Sequence, residues 1–151
     1  MKHHDDVDYS AKKKRNYVRK EVTKFTKVPP VHIMTKKNFW KLAGEMSYSS
    51  EYLNGRVVIP EGFVTDLASI PRIFTPLIPI AGRHRLAGIL HDYMYATGGC
   101  YGLFSRETCD IVFLEAMEHL GVKWFRRKIM YLTVRMFGGS SFKSSHPYAG
   151  Y

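Results

Sequence analysis

The feature that most constrains the fold is a series of helix-type segments, each followed by glycine, in the second half of the chain. Apolar residues recur at helical spacing over roughly 83–96, 106–120 and 123–137. Only the short stretch "TGGCYGLF" and Ser105 separate the first two segments. A connection this short joins two helices as an antiparallel hairpin, and Ser105 is a good residue to begin the second helix. Gly121 and Gly138 predict the ends of the second and third helices.

Residues 31–65 have the pattern of β structure instead. The segments "VHIM", "FWKL", "EMSYSS" and "GRVVIP" are short, contain β-branched and aromatic residues, and are separated by Asn, Gly and Ser. "EGFVTD" adds a last short strand, and the prolines of residues 71–82 predict an ordered but irregular connection. We therefore predict an α+β fold: a small antiparallel β region followed by a three-helix region that contains an antiparallel helix hairpin.

The apolar faces of the three helices also predict the core of the domain. Burial of each such side chain would contribute about 1.5–3 kcal/mol to the free energy of unfolding. The side chains predicted to be buried are Leu86, Ile89, Leu90, Ile111, Leu114, Met117, Ile129 and Leu132.

Charge divides the chain into a near-neutral body with two basic ends. Residues 1–30 hold nine Lys/Arg and four Asp/Glu (net +5), residues 31–120 hold eight and nine (net −1), and residues 121–151 hold six and none (net +6). We predict a basic N-terminal tail over 1–30, one domain over 31–139 and an extended C-terminal tail over 140–151. Residues 1–27 and 121–143 favour an acidic surface or nucleic acid as partner, although a basic surface can also serve solubility alone.

Several classes of protein are disfavoured by the composition. The apolar stretch Ile73–Ala81 is short and broken by prolines, so we expect no transmembrane segment. No signal peptide is visible at the N-terminus, which predicts synthesis in a cytoplasm. Cys100 and Cys109 form neither a disulfide framework nor a motif with zinc-site spacing.

The stretch "LAGILHDYMY" places His91 and Asp92 inside an apolar helix. Adjacent helical residues point about 100° apart, so His91 and Asp92 lie on different faces. In the antiparallel hairpin, His91 and Asp110 lie at the same height, about 8 Å from the loop. We therefore predict a hydrogen bond between them. A carboxylate bonded to one imidazole nitrogen leaves the other nitrogen available as a general base. The same bond can also simply tie the hairpin together.

The neighbouring polar residues extend this candidate site. Tyr95 lies one turn after His91, either as part of the site or as a tyrosine at the edge of the core. "GFVTDLASIPR" places Asp66, Ser69 and Arg72 just before the helix, where they either line the same pocket or stabilise a local turn. Asp92 could hold a cation or pair with an arginine.

Three blocks of the sequence resemble the phage and prophage family called domain of unknown function 1353. They are "VIPEGFVTDLASIPR", "LAGILHDYMY" and "SRETCDIVFLEAMEHLGVKWFRRKIMYLTVRMFGG", which together cover roughly Val57–Gly139. The resemblance implies a protein encoded by a tailed bacteriophage or prophage, but it implies no particular activity.

The HD-x-x-Y pattern with a later helical Asp is also similar to secreted phospholipase A2 enzymes. That resemblance implies that His91 activates water, Asp110 orients His91, and Asp92 binds a divalent cation such as calcium, with Tyr95 matching the tyrosine of the motif. The glycine-rich stretch of this chain follows the motif instead of preceding it, and the flanking cysteines of those enzymes are absent.

Two functions are therefore expected. The first is an accessory or structural protein of the phage virion, in the tail, that contacts other virion proteins and carries a His/Asp site. It would be synthesised in the host cytoplasm and located in the virion. The alternative is a free hydrolase that acts on lipid or peptidoglycan esters or amides of the host envelope.

Overall fold

The computed structural model describes residues 24–26, 31–34, 39–65 and 84–142. The β region consists of two three-stranded sheets in which all neighbouring strands are antiparallel. The first sheet has the order β1-β4-β5 and the second has the order β2-β3-β6. The strands are β1 Phe25–Thr26, β2 Val31–Met34, β3 Phe39–Leu42, β4 Met46–Ser50, β5 Gly55–Ile59 and β6 Val64–Thr65.

The β4–β5 hairpin contributes the buried part of the first sheet. Val57 and Ile59 of β5 are buried and Val58 between them is exposed, which is the alternation expected of a strand with one face on the core. Opposite them, Met46 pairs with Ile59 and Tyr48 pairs with Val57. The predicted antiparallel β region is confirmed, and Val57–Ile59 is a strand.

The first strand lies inside the range predicted as the basic tail. Phe25 is buried, and its ring centroid lies 4.6 Å from that of Tyr48. The β1–β4 pairing therefore rests on an aromatic contact with a partner more than twenty positions away. Local composition carries no signal for such a contact. Residues 140–142 of the predicted C-terminal tail are described, whereas residues 1–23, 27–30 and 143–151 of the two predicted tails and the connection over 71–82 lie outside the described residues.

The helical region contains the three predicted long helices and one additional short turn. These elements are α1 His84–Ala96, α2 Gly98–Gly102, α3 Arg106–His119 and α4 Trp124–Phe137, followed by a 3₁₀ turn over Gly138–Ser140. The α3 helix begins as predicted, because the side chain of Ser105 accepts a hydrogen bond from the backbone N–H of Thr108. α1 packs against α3, and α3 packs against α4.

The α2 turn reverses the chain between α1 and α3. Its residues have positive φ angles, including 54° at Cys100 and 63° at Tyr101. A side chain at Gly99 is impossible without rearrangement, since its Cβ would lie 1.8 Å from the carbonyl oxygen of Phe104. The Thr97 side chain accepts a hydrogen bond from the N–H of Cys100 and so holds the start of the turn. Glycine and this cap together make the tight reversal possible.

The predicted core is correct in part. Ile89, Leu90 and Met117 are fully buried. The prediction is wrong for Leu132, which is 47% exposed. The other predicted core residues, which are only partly buried, are Leu86, Ile111, Leu114 and Ile129.

The error at Leu132 has a physical cause. α4 has apolar residues on two faces, and the face that packs on α3 contains Met130, Thr133 and Val134. Helical periodicity identifies apolar faces but does not determine which of two such faces meets a neighbouring helix.

In the part of the chain that the structure describes, no helix has the length and apolar character needed to span a bilayer.

Candidate functional site

His91 of α1 and Asp110 of α3 are joined by a hydrogen bond across the helix hairpin. His91 Nε2 lies 2.8 Å from Asp110 Oδ1, and both side chains are fully buried. The predicted contact is therefore present. Its cause is the matched height of the two residues on antiparallel helices, together with the small residue Ala87, which is buried one turn before His91.

Two further side chains bind the Asp110 carboxylate. The Tyr95 hydroxyl donates to Oδ1 at 2.5 Å, and Arg135 Nη1 donates to Oδ2 at 2.9 Å. Tyr95 lies on the same face of α1 as His91, as the sequence spacing predicts. Arg135 comes from the end of α4 and was not predicted, because it is one of several basic residues with no local feature that marks it. The network thus links α1, α3 and α4.

The electrostatics of the network keep Asp110 ionised. Burial alone would raise the pKa of Asp110, but hydrogen bonds from His91, Tyr95 and Arg135 outweigh burial and hold that pKa below its usual value. Burial and the bond to the carboxylate raise the pKa of Tyr95, and the bond to Asp110 raises the pKa of Arg135. Tyr95 therefore remains a hydrogen-bond donor and Arg135 remains a cation at neutral pH.

The orientation of His91 follows from this carboxylate. An ionised Asp110 can only accept hydrogen bonds, so a neutral His91 carries its proton on Nε2 and presents a lone pair at Nδ1. The imidazole lies between two rings, with centroids 4.0 Å from Tyr95 and 4.6 Å from Phe113. His91 Nδ1 is buried and has no hydrogen-bond partner among the described residues. Burial of a polar atom without a hydrogen-bond partner lowers the free energy of unfolding by about 1–3 kcal/mol.

The segment after α4 forms one wall beside Tyr95. Gly138 approaches the phenol so closely that a Cβ there would lie 2.9 Å from the Tyr95 hydroxyl oxygen. The ring of Phe142 meets Tyr95 edge-on at 5.2 Å between centroids. The glycine that ends α4 therefore also makes room for the tyrosine that binds Asp110.

Asp92 lies outside this network. Its carboxylate accepts a hydrogen bond from the hydroxyl of Thr65 in β6, which attaches α1 to the second sheet. Across the ranges that the structure describes, Asp92 belongs to no group of three or more side chains placed to share a metal ion. Its role as a cation ligand remains a prediction.

The other three predicted pocket residues, Asp66, Ser69 and Arg72, lie outside the described residues. Thr65 is the residue immediately before Asp66, and its contact with Asp92 places the end of β6 beside the helix that carries His91. That Asp66, Ser69 and Arg72 line the pocket therefore remains a prediction.

A second group of polar side chains, not predicted from the sequence, lies at the opposite end of α3. Atoms of Glu51, Glu115 and His119 all lie within 4.8 Å of one another and could hold a metal ion. Glu115 and His119 are four residues apart on one face of a helix, and this spacing is the sequence signal that could have found them.

Hydrogen bonds within the fold already engage this second group. Glu115 accepts from Ser50 Oγ and from the backbone N–H of Glu51, both at 2.6 Å. His119 Nδ1 is bonded to the Tyr48 hydroxyl at 2.8 Å. These bonds attach the β4–β5 hairpin to α3, which accounts for the cluster without a ligand.

The sequence comparisons identify a family. The model of a family described as a protein of unknown function, DUF1353, matches residues 40–134. The match covers more than half of the chain and includes His91, Tyr95 and Asp110. No curated protein and no solved structure matches the chain. The predicted resemblance to this family is confirmed: the chain belongs to the DUF1353 family.

Proposed function

We propose that this protein is a hydrolase in which His91 acts as the general base and Asp110 orients it. The bond to be cleaved is an ester or amide of the bacterial envelope, with a lipid ester as the preferred class. One observation carries the proposal. The buried imidazole is held through Nε2 by an ionised carboxylate, while its other nitrogen is buried without a hydrogen-bond partner among the described residues.

The chemistry follows from the protonation states. His91 Nδ1 accepts a proton from a water molecule as the water oxygen attacks the carbonyl carbon of the substrate. The imidazolium that forms is stabilised by Asp110, which remains ionised because Tyr95 and Arg135 also donate to it. The proton on Nδ1 then passes to the leaving oxygen or nitrogen as the carbonyl bond is restored. Tyr95 and Arg135 are positioning residues, since they act through Asp110.

A purely structural role explains the same residues less completely. A hairpin tie needs only the Nε2 contact, and aliphatic residues could fill the same volume without burying an unsatisfied acceptor. A buried polar atom without a partner in a native protein calls for an explanation, and a reacting water or substrate supplies one. Because His91 is fully buried, substrate reaches Nδ1 only after part of its cover moves.

The similarity to secreted phospholipase A2 supports a lipid ester as substrate. His91, Tyr95 and Asp110 match the three residues of that motif that position and use the imidazole. Asp92 would be the calcium ligand by the same similarity, but its carboxylate accepts the Thr65 hydroxyl here. A calcium requirement is therefore a separate part of the proposal and is tested separately.

The test is a hydrolysis assay on the full chain. The substrates are phospholipid vesicles, a soluble nitrophenyl ester and purified peptidoglycan, each with added calcium, with added zinc and with chelator. We expect the wild type to release product from at least one substrate and His91→Ala to lose that activity. His119→Gln is the matched control, because it changes a second hydrogen-bonded histidine, one that bonds Tyr48 at the other end of α3. Activity that survives in folded His91→Ala, or no hydrolysis of any substrate by the wild type, would contradict the proposal.

We also propose that the protein is a component of a phage particle, specifically of the tail. The support is the resemblance of the three sequence blocks to phage proteins and the basic character of both ends of the chain. Quantitative mass spectrometry of purified particles and of the cleared lysate tests this proposal. A fixed copy number per particle supports it, and recovery only in the soluble lysate contradicts it.

A further inference from the structure

The outer face of α4 is apolar and exposed. Phe125, Leu132 and Met136 are 44%, 47% and 73% exposed. At 100° per residue their side chains point within about 40° of one another, and they extend over about 16 Å of the helix. This row lies opposite the face of α4 that packs on α3. We call these three residues the outer row.

More exposed apolar side chains lie near the C-terminal end of α4. Phe137 is exposed at the end of α4, and Tyr101 and Leu103 are exposed in the connection between α1 and α3. Arg106, the first residue of α3, donates hydrogen bonds to the carbonyls of Val134 and Arg135. These bonds bring the connection close to the end of α4, so that the exposed apolar residues collect at one end of the helical region.

The segment that carries the outer row contains basic residues and no acidic ones. Residues 120–142 contain no Asp or Glu. Three basic residues of this segment, Lys123, Arg126 and Lys128, take part in none of the ion pairs between described residues. Arg126 lies over the ring of Phe125, with its guanidinium carbon 5.9 Å from the centroid. A partner for this face must therefore offer both an apolar surface and negative charge.

The combination identifies the partner by chemistry. A second copy of the chain would place like charges against each other. Nucleic acid supplies negative charge, but its phosphate backbone offers no apolar surface against which Leu and Met could be buried. An acidic protein would need a groove to receive a convex helix, whereas a lipid interface accepts apolar side chains and attracts flanking Lys and Arg. Trp124, 66% exposed at the start of α4, is of a residue type enriched at lipid interfaces.

We propose that the outer face of α4, comprising the outer row with Trp124 and the flanking Arg126 and Lys128, binds an anionic lipid surface. This binding does not depend on the chemistry of His91. The two functions meet in one helix, because the inner side of α4 carries Arg135 to Asp110 while its outer face rests on lipid. A lipid surface bound in this way lies on the far side of α4 from its contact with α3.

The experiment is vesicle sedimentation with the full chain, using vesicles of phosphatidylcholine alone and of phosphatidylcholine mixed with phosphatidylglycerol. We expect binding only to the anionic vesicles, with weaker binding at higher salt. Leu132→Ser with Met136→Ser should weaken binding by about tenfold or more, given the apolar area removed. Arg126→Glu with Lys128→Glu should weaken it by at least about fivefold for each charge. Matched controls are Val58→Ser and Arg56→Glu, exposed positions on β5.

Tryptophan fluorescence locates the contact. Trp124 emission should shift to the blue on anionic vesicles, and the shift should disappear in Trp124→Phe. Equal binding by the wild type and both α4 variants would overturn the proposal, as would binding that is lost only when residues 1–23 are removed. Failure to bind anionic vesicles, combined with tight binding of DNA or of an acidic amphipathic peptide, would overturn it in favour of that partner. A loss of hydrolysis in His91→Ala leaves vesicle binding unchanged, so the two proposals fail separately.

Discussion

The two ends of α3 carry similar residues in different situations. Near its N-terminus, Asp110 meets a histidine, a tyrosine and an arginine from other helices. Near its C-terminus, Glu115 and His119 meet Ser50 and Tyr48 from the first sheet. Each end combines a carboxylate, an imidazole and a phenol. By residue type alone, either could be proposed as an active site.

The difference lies in which polar atoms are left over. At the C-terminal end, Glu115 accepts bonds from a hydroxyl and a backbone N–H of the β4–β5 hairpin, so the cluster completes the fold. At the N-terminal end, the carboxylate is equally well satisfied, but His91 Nδ1 is buried with no partner among the described residues. A buried polar atom without a hydrogen-bond partner, more than the types of residue present, therefore distinguishes a candidate site from a purely structural cluster.

The largest expected effect comes from His91→Ala. Removal of a general base typically costs about 10²–10⁴ in rate, and we expect a loss of about 10³ in kcat/KM. Loss of one Asp110 partner should also lower the free energy of unfolding by about 1–3 kcal/mol. Hydrolysis assays and urea unfolding of the same samples separate the two effects. If the loss of rate is no larger than the fraction of unfolded protein accounts for, His91 has no catalytic role. The polar clusters at the two ends of α3 would then both serve stability alone.

Asp110→Asn is expected to have the next largest effect. An amide can present its N–H₂ to His91 Nε2 and favour the tautomer with the proton on Nδ1, which removes the base, so activity should fall by about 10². The variant should also change acid stability. The lowered pKa of Asp110 means that its contribution to stability is present above its ordinary pKa of about 3.8 and is lost as the pH falls through the lower folded value. Urea unfolding at a series of acidic pH values should show this loss in the wild type and not in the variant.

Glu115→Ala should lower stability without affecting hydrolysis, in contrast to the two variants above. The variant leaves Ser50 Oγ and the Glu51 N–H without their acceptor, and we expect a loss of about 1–3 kcal/mol in the free energy of unfolding. Hydrolysis by the folded protein should be unchanged. Glu51→Gln is the milder companion variant, since Glu51 is exposed. A loss of activity in folded Glu115→Ala, together with a wild-type activity that chelator removes and added metal ion restores, would reassign the active site to this end of α3.

The smallest expected effect is a pH dependence from His119. Burial lowers the pKa of His119, with the positive charge of Lys24 acting in the same direction. The folded state therefore binds fewer protons than the unfolded state as the pH falls below about 6.5, so stability decreases there and is greatest above that pH. Thermal unfolding from pH 7 downward should show a shallower decrease in His119→Gln; an identical slope would contradict this assignment.

Much of the fold and part of the site were predictable because they depend on local rules. Helical periodicity and glycine positions predict α1, α3 and α4, and a short connection requires an antiparallel hairpin. The constant rise per residue then places His91 opposite Asp110, and the spacing of one turn places Tyr95 beside them. These inferences need only the regular geometry of the helix, so the hairpin and its central hydrogen bond follow from the amino-acid sequence alone.

Other features depend on how the helices pack against one another, and spacing along the chain does not predict them. Arg135 reaches Asp110 because α4 packs on α3 through Met130 and Val134, and this same rotation leaves Leu132 outside, where periodicity predicted core. The isolation of His91 Nδ1 likewise depends on what surrounds it in space. The physical reason is that spacing along a helix determines which residues share a face. The identity of the buried face depends on contacts between segments distant in sequence.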